Sequence, residues 1–296
     1  MDKEPDRPGA SRRWGAERRL EFIEFRLYWE GRINRADLMD YFGISAPQAS
    51  ADLSRYQDMA PGNLVYDTRK KTYLISDEFE ARFAVDDPGR YLSQLQLVSR
   101  GIVREEESWI AKFPSFSVLP IPQRSISPRT LRRLITAIKA QDALEIHYQS
   151  MSKQEPTWRW ISPHAIGFDG FRWHARALCH NDQTFKDFVF ARMLDVGEGK
   201  PYAIDPSEDE AWTETMDVVI EPHPDLSSDQ KKAIELDYGM QKGKRTISVR
   251  RAFLYYLLKR LGLDAHSRRK RPSDQQIVLA NEKEIRAALG SSLPGE

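Results

Sequence analysis

The stretch RWHARALCH, Arg172 to His180, gathers two arginines, two histidines and the single cysteine of the chain. It reads as a β-strand, in which successive side chains point to opposite sides. Trp173, Ala175, Ala177 and Cys179 then share one side, which is packing chemistry. Arg172, His174, Arg176, Leu178 and His180 share the other. That second row could ligate a metal, catalyse a reaction, bind an anion or merely face water.

A zinc site would draw on His164, His174, His180 and Cys179. Alternation puts Cys179 opposite His174 and His180, and neither CxxC nor HExxH occurs. A cysteine nucleophile needs an exposed, electropositive setting, whereas Cys179 falls in the apolar row. No GxSxG elbow is present. No metal, no cofactor and no enzymatic activity are therefore expected. For an anion, Arg176 and Arg192 could each offer a two-pronged grip. His164 and His174 could donate or accept, Lys186 adds a point charge, and Tyr148 and Phe188 could stack a base. A solvated strand face, or a protein contact, accounts for the same residues equally well. The residues alone leave these readings open.

These residues need a scaffold, and the chain supplies one. Its 296 residues allow two or three domains, and 40% apolar with 30% charged residues suits globular cores. No apolar run approaches the roughly 20 residues of a membrane span, and the polar N-terminus lacks a signal-peptide core. With one cysteine, this points to the cytoplasm. The net charge of +1 argues against coating polyanions over the whole surface, but not against a local DNA-binding patch.

Local signals divide the chain. Residues 1–13 read as a flexible arm. A helix is expected from about Gly15 to Glu30, with Leu20, Ile23 and Leu27 at helical spacing. Asn34, with Asp37 three residues on, caps a short helix that stops at Gly43. Ser45 caps the next, about Ala46 to Met59, with Pro47 in its first turn. Two short strands, LVY and TYLI, flank a basic turn. This order is that of a winged helix-turn-helix over residues 14–85. Residues 86–126 read as a helical, then extended, linker, with a helical region from Glu78 broken at Pro88 and Gly89. One helix and four closely spaced strands over 127–205 suggest a small antiparallel barrel. Residues 206–296 alternate strand and helix as a small ferredoxin-like α+β unit would, followed by a basic, polar tail. The fold class expected is α+β multidomain.

The 46–59 helix carries the sharper functional signal. Ala49, Leu53 and Tyr56 form its inner face. Ser50, Ser54 and Arg55 lie opposite, Gln48 is on the flank, and Ser45 stands at its start. Short polar side chains let a helix approach the major-groove floor, and Arg69, Lys70 and Lys71 at the wing tip would neutralise phosphates. Asp52 and Asp58 oppose this by repulsion. The eight expected DNA contacts are Ser45, Gln48, Ser50, Ser54, Arg55, Arg69, Lys70 and Lys71.

GFRWHARALC followed by FKDFVFARM resembles the segment that names the WYL domain, an Sm-like (SH3-like) β-barrel that follows a winged helix in bacterial transcription factors. Trp173-His174-Ala175 replaces the usual Trp-Tyr-Leu, which is similar to the WYL repressors of the BrxR and CapW kind found beside phage-defence operons. LEIHYQSM and ISPHAIGFDG look like theirs too, and the match spans nearly the whole chain. The resemblance implies a homodimer on an inverted repeat of double-stranded DNA, repressing neighbouring defence genes. It implies a C-terminal extension that dimerises, and a WYL domain that senses a nucleic acid or nucleotide. The implied pocket residues are Tyr148, Ser150, His164, His174, Arg176, Lys186, Phe188 and Arg192. Lys186 stands where the family often has arginine, and Ala191 where it often has serine. Two other readings remain: a WYL activator of a DNA-damage response, and a nucleotide-processing enzyme acting through His174 and Arg176.

Overall fold

The computed structural model describes residues 8–83, 85–122, 124–263, 267 and 270–290, with side chains from Gly15 onward. The chain forms two compact units, residues 1–121 and 122–296.

The first unit starts with α1 (Pro8–Glu30), followed by β1 (Arg32–Ile33), α2 (Arg35–Phe42) and α3 (Ala46–Met59). A hairpin, β2 (Leu64–Asp67) and β3 (Thr72–Ile75), precedes α4 (Pro88–Ser99). The caps act as their residue types dictate. The Asn34 side chain accepts from the Asp37 N–H while Asp37 accepts from the Asn34 N–H. Gly43 takes the left-handed conformation, φ 61°, that ends α2. Ser45 accepts from the Gln48 N–H and opens α3. β1, missed in the sequence, adds a third strand, giving the order β1-β3-β2.

Three expectations are corrected in this unit. Helix α1 begins at Pro8, so residues 8–13 of the expected arm are helical and residues 1–7 lie outside the described residues. Pro88 starts a helix rather than breaking one: Asp87 caps α4 and Pro88 occupies its first turn, where a missing N–H is harmless. The described residues before it, from Ser76, are not helical. And much of the 86–126 linker is built into this unit. Trp109 and Tyr91 pack on the α1 rings of Phe22 and Phe25, which are fully buried. Covering a phenylalanine is worth roughly 2–3 kcal/mol, so a linker left in water would forfeit this twice.

A buried carboxylate ties the unit together. Glu24 on α1 accepts from the Tyr56 hydroxyl at 2.9 Å and from the N–H groups of Arg82 and Phe83 at 2.8 and 2.7 Å. The same Tyr56 oxygen accepts from Asn63, which also clasps the backbone of Glu80. Burial and the neighbouring Glu24 raise the Tyr56 pKa, keeping it a neutral donor.

The second unit has α5 (Pro128–Ala140), then β4 (Asp142–Tyr148), β5 (Thr157–Phe168), β6 (Trp173–Cys179), β7 (Thr184–Val189) and β8 (Met193–Pro201). They form one antiparallel sheet, β7-β6-β5-β4-β8. No ladder joins β7 to β8 among the described residues, and a 3-10 turn at Phe190–Arg192 links them. The core holds Leu134, Ala137, Leu144, Ile146, Ile161, Ala175, Ala177 and Cys179.

A single turn, α6 (Glu210–Thr213), leads to β9 (Thr215–Pro222), α7 (Ser228–Asp237), β10 (Arg245–Arg250), α8 (Leu254–Arg260), β11 (Ile277–Leu279) and α9 (Glu282–Gly290). The sheet order is β10-β9-β11, all antiparallel. It has three strands, not the four of a ferredoxin-like unit. β11 lies in what the sequence marks as tail, because three apolar residues give no readable periodicity.

Glu24→Ala leaves two partly buried N–H groups and the buried Tyr56 hydroxyl without their acceptor. Unfolding free energy should fall by about 2–4 kcal/mol in urea titration, at 1–3 kcal/mol per orphaned group with partial relaxation. A loss below about 0.5 kcal/mol would refute the hub.

Candidate functional site

On α3, Ser45, Gln48, Ser54 and Arg55 are exposed and Ser50 is half-buried. Arg69, Lys70 and Lys71 are exposed at the turn between β2 and β3, and form no ion pair among the described residues. Asp67 shapes that turn by accepting from the N–H groups of Arg69 and Lys70 at 2.9 and 3.0 Å. The expected repulsion is corrected at Asp52. Its side chain turns inward, is buried, and pairs with Arg19 at 2.6 Å. Gln48 also donates to it, at 3.1 Å. In the sequence Arg19 is one of a basic cluster with Arg12, Arg13 and Arg18, and its pairing is not legible there because Asp52 lies two helices away. Asp58 remains exposed.

The second candidate site changes more. β6 alternates as expected, with Ala175, Ala177 and Cys179 in the core. Trp173, expected to pack with them, is instead 47% exposed and rests against Phe168. Burial pushes the Cys179 thiol up, against a nucleophilic role. The opposite row is not a solvent face: His174 and Arg176 are 1% and 7% exposed. They are covered by the segment after β8 and by α8.

Internal carboxylates meet them there. Asp209 accepts from Arg176 Nε at 2.7 Å and Nη2 at 2.8 Å, a two-pronged grip. His164 Nε2 lies 2.9 Å from the same carboxylate. A register shift in β5 between Pro163 and Ala165, opposite Arg176, marks a bulge at His164. The bulge aims His164 at the oxygen Arg176 holds. Asp187, opposite Arg176 on β7, takes Arg176 Nη1 at 3.2 Å and the Tyr256 hydroxyl at 3.1 Å. Asp169 takes Arg172 Nε at 2.9 Å and His174 Nε2 at 3.0 Å.

The charges follow. Burial drives Asp209 upward, but hydrogen bonds from Arg176 and His164 outweigh it and hold the carboxyl at about 2. At Asp169 burial is likewise overcome by His174, Arg172 and two backbone N–H groups, again giving about 2. For Arg176, burial works against its charge, and Asp209 and Asp187 more than restore it. Tyr256 is raised, by burial and then by Asp187, and stays a donor.

The other expected pocket residues do not join this cluster. Tyr148 and Phe188 are buried in the sheet core and pack edge to face, 5.2 Å between ring centres. The Tyr148 hydroxyl accepts from the Val189 N–H. They are not an open stacking platform. Phe188 opposes Ala175, and Lys186 opposes Ala177, so both belong to the face away from Arg176. Lys186 pairs with Asp182. Ser150 bonds Ser152 in the turn after β4. Arg192 is half-buried in the 3-10 turn with no ion pair among the described residues. Asp209, Asp187, Asp169, Tyr256 and Gly167 were missed by sequence reasoning. A Cβ at Gly167 would strike the Phe253 ring, so glycine here lets the C-terminal module approach β5. Asp187 alone was legible, as the residue between Lys186 and Phe188.

Among the described residues no group of three or more His, Cys, Asp or Glu side chains could hold a metal ion, and no helix is long and apolar enough to cross a membrane.

Three family models match the chain in order. Residues 15–97 match the BrxR transcriptional regulator winged helix-turn-helix domain. Residues 129–197 match the WYL domain. Residues 215–285 match the BrxR transcriptional regulator C-terminal dimerization domain. The protein named DNA-binding transcriptional repressor CapW of Stenotrophomonas maltophilia is 45% identical over 278 residues, 93% of this chain and 92% of that one. Those of Pseudomonas aeruginosa and Escherichia coli (strain KTE188) are 39% and 38% identical, covering 92% and 96% of their lengths. The chain belongs to the CapW family. Within that framework Asp209 and α6 occupy the interval between the WYL and dimerization models, so the carboxylate gripped by Arg176 comes from the connection between them.

The depressed carboxylates set an acid limit. Their unfolded value is 3.8 and their folded value about 2. The unfolded chain therefore binds protons first, and the stabilisation is full above about pH 5, falls below 3.8 and is gone below 2. Each carboxylate accounts for about 2 kcal/mol over that window. Asp209→Asn should make unfolding free energy less pH-dependent: the gap from wild type at pH 6 should shrink by about 2 kcal/mol by pH 2. Parallel pH profiles for the two proteins would rule the assignment out.

Proposed function

We propose that this CapW family member is a homodimeric transcriptional repressor that reads an inverted-repeat operator and controls a neighbouring phage-defence operon. One observation carries the reading: α3 presents Ser45, Gln48, Ser50, Ser54 and Arg55 beside a wing with three exposed cations, while Asp52 is withdrawn into its pair with Arg19. The face left to the groove is short-chained, polar and cationic. Ser54 and Arg55 reach base edges and the groove wall, and Arg69, Lys70 and Lys71 hold the flanking backbone. The names of the relatives, and the dimerization model over residues 215–285, support DNA binding as a two-fold dimer, for which half-sites are related by pseudo-palindromy. This is a regulator rather than an enzyme. In this reading the WYL domain senses a nucleic acid or nucleotide, whose phosphate binds at Arg176 and His164, and Arg192 is the cation of that domain's expected set with no ion pair among the described residues.

Arg55→Ala with Lys70→Ala should weaken binding to the chain's own promoter at least tenfold in gel shifts at about 0.15 M salt, and flatten the log K against log salt slope by about one to two. Undiminished binding would remove α3 and the wing from the interface. Deleting the gene should raise reporter output from that promoter; a fall would favour an activator instead.

A further inference from the structure

Arg176 already has a carboxylate partner inside its own sheet. Asp187 sits directly opposite it on β7, held in place by two strands and by the Tyr256 hydroxyl. Asp209 is a second carboxylate on the same guanidinium, and it does not belong to the sheet. It lies in the connection between Pro201 and Thr215, whose only regular structure is a 3-10 turn and the single turn α6. Yet Asp209 takes the better geometry, two parallel hydrogen bonds plus His164. Two oxygens on Arg176 Nε and Nη2, with a third donor at hand, is also how a guanidinium and an imidazole hold a phosphate.

We propose that Asp209 is a resident stand-in for a phosphate ester, and that an incoming nucleotide phosphate takes its place on Arg176 and His164, freeing α6 and with it the start of β9. The inference rests on the sensor reading above, and adds how that sensor is held shut and what it moves. The charges require exchange rather than addition. One guanidinium faces two carboxylates, so a third anion gains no free cation unless Asp209 leaves. Asp209 can leave, because its backbone is committed to no ladder.

Displacement has a defined consequence. Asp209 caps α6, its carbonyl and side chain both accepting from the Trp212 N–H. Trp212 packs edge-on against His164 and Phe253, under Arg250. Arg250 donates to the Trp212 carbonyl, and Arg251 pairs with Glu214, the last residue before β9. β9 is the central strand of the β10-β9-β11 sheet. The same Arg176 thus serves either a ligand or the anchor of the C-terminal module. Sites that compete for one group are thermodynamically coupled, and the coupling works in both directions.

The test uses the full-length protein and two probes, thymidine 5′-monophosphate for a free nucleotide and the dinucleoside phosphate TpT for a strand-internal phosphate. Calorimetry on wild type, Asp209→Asn and Arg176→Gln should show at least tenfold tighter binding of one probe to Asp209→Asn, and no binding to Arg176→Gln. Equal binding by wild type and Asp209→Asn, with loss in Arg176→Gln, overturns the stand-in and leaves the sensor reading intact. Full binding by Arg176→Gln overturns both. Hydrogen exchange supplies an arm that does not depend on the variant folding: saturating probe should speed exchange over residues 210–222 of the wild type, whereas protection there refutes displacement. Binding of neither probe, even to Asp209→Asn, overturns the stand-in.

Discussion

Arg176 is a permanent charge held where water barely reaches. A guanidinium alone in such a place costs several kcal/mol, and only well-aligned carboxylates offset that cost. This requirement organises the second unit. It brings Asp187 across from β7, Asp209 in from the connecting segment, and His164 around through a bulge in β5. Tyr256 of α8 then completes Asp187 from the far side. The WYL sheet and the C-terminal module are thus joined by charge satisfaction as well as by apolar contact. Phe253 resting on Gly167 is the apolar part of the same junction.

The first unit obeys the same rule with the sign reversed. There the most deeply buried charges are the carboxylates of Glu24 and Asp52. Glu24 collects Tyr56 and two backbone N–H groups beyond the wing, which fixes the wing's exit to α1 and α3. Asp52 is neutralised by Arg19, which removes a negative charge from the helix expected to meet DNA. Glu24 holds α3 from its inner face through Tyr56, and the Arg19–Asp52 pair holds it from the flank, where Gln48 joins it. Changes at Glu24 or Arg19 therefore reach the outer face of α3 through its position and local charge.

The family match covers the winged helix, the WYL domain and the dimerization domain, and leaves the segment from 198 to 214 between models. That interval contains the carboxylate on which the buried arginine of the WYL sheet depends. A connecting segment that carries a charge into a neighbouring site is more than a tether.

What the sequence determined by itself was local. Capping at Asn34 and Ser45, the stop at Gly43, the outer face of α3 and the basic wing tip all depend on residues within a few positions of each other, and each is as expected. The alternation of β6 placed Ala175, Ala177 and Cys179 correctly for the same reason. Alternation cannot say what lies over a strand, so it found the Arg176 row but not its cover. The partner of Arg176 is 33 residues away, that of Glu24 58, and no spacing rule spans such distances. The bulge at His164, the absorption of Trp109 into the first core, and the three-residue strand β11 were likewise decided only by tertiary structure. In each case the deciding term was the burial of a charge or an apolar surface. Burial belongs to the assembled fold, not to any stretch of chain.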